Sequence, residues 1–172
     1  MFFLYISHHL FFSKWLNIMK HNKIRIIAIT ISLSLFLFSL TQNTVTISAL
    51  KTETISSLDY FFTGITAILD GDFMDWLVWL ANPLCVISMI LLIKKNKTAK
   101  TTSSIALLLA LSFSAWRTIR NENGSTSVII SLELGYYLWI LSILSLTIGT
   151  FYYFKTKKKY KKERLSSPTQ LP

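Results

Sequence analysis

The chain has 172 residues, one domain's worth, of which 52% are hydrophobic and 15% charged, whereas a soluble domain carries about 25% charged residues. With a mean hydropathy of +0.48 this excludes an ordinary soluble domain, and the apolar and aromatic content excludes a disordered tail. A single cysteine, Cys85, excludes an internal disulfide framework and a multi-cysteine metal site.

From the N-terminus, residues 1–23 read as a cytoplasmic segment. Its opening stretch is apolar and aromatic, but only 13 residues precede Lys14, too few to cross a bilayer. It reads either as an interfacial segment or as sequence upstream of a true start at Met19. The second reading is preferred, because Met19-Lys20-His21-Asn22-Lys23-Ile24-Arg25 then forms a basic lead into an apolar run. His8, His9 and His21 have no acidic or cysteine partner nearby, so no metal is expected there. A hydrocarbon core of about 30 Å needs about 20 helical residues at roughly 1.5 Å each. Residues 24–42 meet that length as a first span. Ser39 and Thr41 make only a weak cleavage pattern, so the span reads as an uncleaved anchor.

Residues 43–73 read as an outer loop containing an amphipathic helix at about 56–69. Ser56-Ser57-Leu58-Asp59 places hydroxyl caps and an acid in a first turn. Leu58, Phe61, Phe62, Ile65, Ile68 and Leu69 then recur at helical spacing, and Asp70-Gly71-Asp72 ends the helix as a turn. Its expected place is on the outer leaflet or over the mouth of the bundle. Residues 74–94 form a second span. Within it Pro83 has no amide hydrogen, which frees the carbonyl of Trp79 and bends the helix. Asn82 brings an amide into an apolar run, where it seeks a partner on a neighbouring helix.

A basic loop follows at 95–100, then a third span at 101–117. Its uncharged run is only 16 residues long, but Lys100 and Arg117 at its ends can snorkel to the interfaces. A second outer loop covers 118–133, a fourth span 134–154, and a basic tail 155–172. The net charge of +10 divides by loop. The N-terminal segment carries +4, the first loop −4, the second +4, the third zero and the tail +6. Basic residues thus occupy alternate loops, as the positive-inside rule requires. The expected fold is all-α: an integral membrane bundle of four transmembrane helices, both termini cytoplasmic, with a short amphipathic helix in the first outer loop. The charge reads as topology, with anionic lipid headgroups as a partner for the tail and no nucleic acid.

Candidate functional residues are few. Asn82 and Pro83 at the kink, with Glu133 and Arg117 near the outer mouth, form the candidate ligand-binding set. A half-helix break can build a site at the midplane, but here only one break occurs and no second half-site matches it. Glu133, Asp75 and Arg117 could line an acid–base site, although ion pairing among Glu133, Arg117, Arg120, Asp72 and Asp75 is the preferred reading. No nucleophile–base spacing, phosphate loop or metal motif is present, so no catalytic residue, metal or cofactor is expected. Small residues recur four apart at Ala106, Ala110 and Ser114, at Ser145 and Gly149, and at Ala81 and Cys85. Such ridges permit close helix approach, within this bundle or against another protein. Cys85 reads as an inert small hydrophobe.

Trp79-Leu80-Ala81-Asn82-Pro83-Leu84, followed by Gly135-Tyr136-Tyr137-Leu138-Trp139, resembles a type of small bacterial multi-pass inner-membrane protein with no known activity. The resemblance covers residues 64–154. It implies the bacterial cell membrane and carries over no functional residue. The function expected is non-enzymatic: an accessory or interaction protein working through a membrane-protein partner or self-association. Transport or ligand binding at the Asn82–Pro83 kink is one alternative, and a membrane enzyme with an outer-face site is another.

Overall fold

A computed structural model describes residues 22–48, 52–69, 71–120 and 126–166. The expectations for residues 1–21, including His8, His9 and the start at Met19, lie outside them. The chain begins with helix α1 (Asn22–Ser39). Strands β1 (Asn43–Ser48) and β2 (Thr52–Ser56) follow, then α2 (Ser57–Thr66), α3 (Phe73–Trp79), α4 (Ala81–Ile93) and α5 (Ala99–Ser112). A short 3-10 turn at Phe113–Ala115 leads to β3 (Thr118–Arg120), β4 (Thr126–Leu132) and the long α6 (Leu134–Ser166).

The architecture is α+β, not all-α. Both segments expected to be outer loops contain strands, and these join in one four-stranded antiparallel sheet of order β2-β1-β4-β3. The physical signal is period-two alternation of β-branched residues in NTVTIS, TETIS and TSVIISL. A search for charge-free runs passes over it, because it counts β1 as the polar flank of the first span. Val45 and Ile47 point inward and are almost fully buried. They form a cluster with Val78, Phe113, Ile119 and Tyr136 at the ends of the helices. Thr46 points outward between them. Irregularities in register at the start of β1 and between Thr46 and Ile47 bend the central pair.

Three helices are long and apolar enough to cross a membrane: α1, the 21-residue rod Phe73–Ile93 made of α3 and α4, and α6 over Leu134–Lys159. The helix at Ala99–Ala115 is apolar but shorter. The rod is interrupted only at Leu80, whose backbone stays helical (φ −57°, ψ −16°). The break coincides with Pro83, the third residue of α4, which has no amide hydrogen to give the Trp79 carbonyl, while Leu80 N–H and Leu84 N–H keep the helical pattern on either side. α4 ends in a Schellman arrangement. Asn96 N–H donates to the Leu91 carbonyl (2.9 Å) and Lys95 N–H to that of Leu92 (3.1 Å), with Lys95 in the left-handed region at φ 58°. α6 does not stop at residue 154 but continues through the basic run, 33 residues in all, about 50 Å of helix.

The helices pack through small side chains. Ala81 and Cys85 of α4, Ala99, Ala106 and Ala110 of α5, and Ile143 and Leu146 of α6 form the main core. Of the ridge expected on α5, Ala106 and Ala110 are buried but Ser114 is exposed. α1 meets α6 where Ala28 faces Gly149, so closely that a methyl at Gly149 would overlap the Ala28 side chain. The two ends of the bundle differ in charge. Lys94, Lys95, Lys97 and Lys100 in the α4–α5 turn lie at one end with Arg25, whose Nη1 donates to the Ile93 carbonyl (2.6 Å) and which sits over the Tyr153 ring. Lys100 lies over the rings of Phe151 and Phe154 there. The sheet, α2 and the acids Glu53, Asp59, Asp72, Asp75 and Glu133 lie at the other end.

Candidate functional site beneath the sheet

The helix ends and the sheet do not close completely on each other. A partly open cleft with a volume of about 50 Å³ remains between α1, α2, α4 and α6. Seven aromatic side chains line it: Phe36, Tyr60, Phe61, Trp79, Phe113, Tyr136 and Trp139. Its polar lining is Ser39, Thr44, Ser57 and Asn82.

The elements are brought together for identifiable reasons. Ser56 caps α2, accepting from Asp59 N–H (3.1 Å) while its own hydroxyl donates to the Asp59 carboxylate (2.7 Å). This starts the helix directly after β2, so that Tyr60 and Phe61 reach the cleft. Gly64 lets α2 rest on Trp79, whose ring a methyl at that position would overlap. Trp79 Nε1 donates back to the Phe61 carbonyl (2.9 Å), and Phe61 meets Phe36 of α1 edge to face. Gly135 opens α6 against Ser57 and the Asn43 carbonyl, with no room for a side chain.

Most polar tips around the cleft are turned onto the protein itself. Tyr136 Oη donates to the Ala110 carbonyl (3.1 Å), Tyr60 Oη to Asp75 Oδ1 (2.9 Å), and Thr44 Oγ1 to Ser57 Oγ. Tyr60 belongs to α2, outside the three long apolar helices. Burial, reinforced by the Asp75 carboxylate beside it, holds its phenol well above the usual tyrosine range. Asn82 finds the neighbouring-helix partner expected of it in Trp139 of α6, whose Nε1 donates to Asn82 Oδ1 (2.8 Å). Among the described residues the Asn82 amide nitrogen donates to nothing.

The four candidate ligand-binding residues do not form one site. Asn82 lines the cleft under the sheet, and Pro83 follows it in the first turn of α4. Glu133 lies on the opposite, outward face of the sheet, where Ser131 Oγ (2.6 Å) and Thr46 Oγ1 (2.8 Å) both donate to its carboxylate. Those two hydroxyls stabilise the charged carboxylate and hold its pKa below the usual carboxylate value. Arg117 is exposed on the approach to β3, where its carbonyl accepts from Ile129 N–H (2.9 Å). Asp75, the third member of the acid–base set, is engaged with Tyr60 and Asp72 inside the helical layer. Glu133, Asp75 and Arg117 thus point to three different places, and ion pairing is not what satisfies Glu133 or Asp75.

Sequence reasoning assigned no site role to Trp139, Tyr60, Tyr136 or the Thr44–Ser57 pair. Each carries a polar tip that needs a partner once buried, and that requirement was the available signal. Among the described residues no group of three or more His, Cys, Asp or Glu side chains is placed to hold a metal ion. Comparison of the chain with family models, with curated proteins and with solved structures gave no match in any of the three.

Proposed function

We propose that the chain is a four-span protein of the bacterial inner membrane with both termini in the cytoplasm, acting without catalysis through a partner bound at its sheet end. Bilayer embedding is supported by the large apolar residues that the three long helices and the shorter α5 turn outward, among them Ile31, Ile90, Leu108 and Ile148, each more than two-fifths exposed. A soluble monomer rarely leaves so continuous an apolar surface in water. The shorter α5 serves as the third span because Lys100 and Arg117 can reach the interfaces from its ends. The orientation follows from the basic end facing the cytoplasm.

The observation that carries the interaction reading is the outward face of the sheet. Val128 and Ile130 of β4 stand 55% and 56% exposed there, on the side away from the bundle, where packing gives them no role. Ser48 and Thr118 pair with Val128 from either side, and Thr46 pairs with Ser131 next to Ile130, a polar rim about a small apolar centre.

The test is crosslinked capture of the tagged protein from its native membrane in mild detergent, comparing wild type with Val128→Ser/Ile130→Ser. One stoichiometric partner, or a second copy of the chain, should be retained by the wild type. The variant should lose it while accumulating to the same level. Equal capture by both proteins, or a stoichiometric partner in neither, would overturn the reading.

A further inference from the structure

The cleft beneath the sheet has features that helix packing does not require. We infer that it is a binding site for the end of a single linear acyl chain bearing a carbonyl or carboxylate acceptor, taken up from the outer leaflet. This goes beyond the partner-binding reading and uses the opposite face of the sheet.

The lining sets the ligand class. Tyr60, Trp79, Tyr136 and Trp139 have each sent their polar atom to a protein partner. What they and the phenylalanines present to the cleft is ring surface, which suits an apolar chain. One donor is left over, the Asn82 amide nitrogen, held in place because Trp139 fixes the other end of the same amide. A cleft with apolar walls and one orienting donor matches the usual plan of a small-molecule site. Asn82 donates and its lining neighbours are uncharged, so the ligand's polar atom is an acceptor.

Size sets the shape. The volume of about 50 Å³ is well below the roughly 150 Å³ of an apolar cavity that takes benzene. A ring compound or a folded peptide does not fit, whereas the end of one extended chain does. Position names the source. The cleft lies at the sheet end of the apolar helices, at the level where Trp76, Trp79 and Trp139 would meet an outer membrane interface. Acyl carbonyls of lipids lie at that depth.

The experiment uses the full chain purified in detergent and a palmitic acid carrying a diazirine on its chain. A phosphatidylglycerol with the same group on one acyl chain is the second arm, and adducts are mapped by mass spectrometry after illumination. Adducts should concentrate on Phe36, Phe61, Trp79 and Trp139 and be displaced by unlabelled palmitate. The fatty-acid arm alone labelling the cleft identifies a free fatty acid as the ligand, and labelling in both arms identifies a membrane lipid. Two variants test the geometry. Leu40→Trp narrows the cleft and should abolish the focused adducts. Asn82→Asp at pH 8 keeps the acceptor for Trp139 but removes the donor, and should weaken palmitate competition about fivefold or more, as loss of one hydrogen bond implies. Adducts spread over outward residues such as Ile31, Leu108 and Ile148, with no displacement by palmitate, would overturn the inference, leaving a cleft that holds only water. Neither result depends on the sheet's outward face, so failure here and failure of the partner-binding reading are separate outcomes.

Discussion

Gly135 is where the sheet, α2 and α6 meet most closely, and replacing it with alanine tests that junction. An added methyl would overlap Ser57 Oγ and stand 2.6 Å from the Asn43 carbonyl oxygen. Ser57 can rotate, at the expense of the hydrogen bond it accepts from Thr44. The carbonyl belongs to the backbone of β1 and must retreat by about 0.8 Å to reach an ordinary contact near 3.4 Å. Overpacking of this kind costs about 1–3 kcal/mol. Gly135 is the second residue of α6, outside the helix interior where alanine would gain propensity, so the net loss should be about 1–3 kcal/mol. For a chain of this size that lowers the unfolding temperature by about 2–12 °C. Thermal unfolding in mild detergent, followed by tryptophan fluorescence, reads the change, since Trp79 and Trp139 line the adjoining cleft. A Gly135→Ala protein as stable as wild type would refute the close junction.

Three other outcomes follow from the geometry. Glu133 has a lowered folded-state pKa, so its stabilisation is complete above the ordinary carboxylate pKa and is lost as pH falls through the folded value; thermal unfolding of Glu133→Gln between pH 7 and pH 3 should lack that part of the acid-induced loss, and a wild-type-like pH profile would contradict the two-hydroxyl clasp. A double-mutant cycle on Asn82→Ala and Trp139→Phe, read by unfolding in graded anionic detergent, should give a coupling of about 0.6 kcal/mol and no more than about 1.7 kcal/mol, the range for hydrogen bonds between helices in a membrane; zero coupling would show that the 2.8 Å contact contributes nothing. Lys95→Gly should stabilise the protein by about 1 kcal/mol, since a lysine now holds the left-handed position of the Schellman turn, and a loss of stability on thermal unfolding would mean that the lysine side chain contributes more than the backbone strain costs.

The apolar helices were legible because they carry long runs without charge, and a charge scan finds such runs directly. α2 was legible too, since Ser56 and Asp59 mark its start and Gly71 marks the turn beyond its end. The sheet was not. Its strands are five to seven residues long apart from the three-residue β3, and their alternation is carried by threonine and serine as much as by Val45, Ile47, Val128 and Ile129. Pairing between β1 and β4 joins residues eighty or more positions apart, which no local pattern reveals. The site was half legible for a related reason. Asn82 stood out as a polar residue in an apolar run, but its grouping with Glu133 and Arg117 assumed that nearness to the same mouth meant a shared face. A single layer of backbone separates a sheet's two faces, and Thr44 and Thr46, two positions apart, show how a register irregularity decides which side each serves.

That register also explains what the sheet does for the helices. β1 follows α1 after three residues and β4 precedes α6 by one, Glu133. The central strand pair therefore ties the first helix to the last by main-chain hydrogen bonds. Toward the basic end the same two helices meet at Ala28 against Gly149 and at Arg25 over the Tyr153 ring. α1 is also the least enclosed of the three long apolar helices. The strand pair adds a main-chain tie at the other end to these side-chain contacts. The same tie sets the distance between Phe36 and Ser39 on α1 and Tyr136 and Trp139 on α6, which are facing walls of the cleft. With Cys85 buried as the chain's one thiol, no disulfide can make this link. Strand pairing supplies it, which is why a chain built mainly of apolar helices devotes both of its longer connections to a β-sheet.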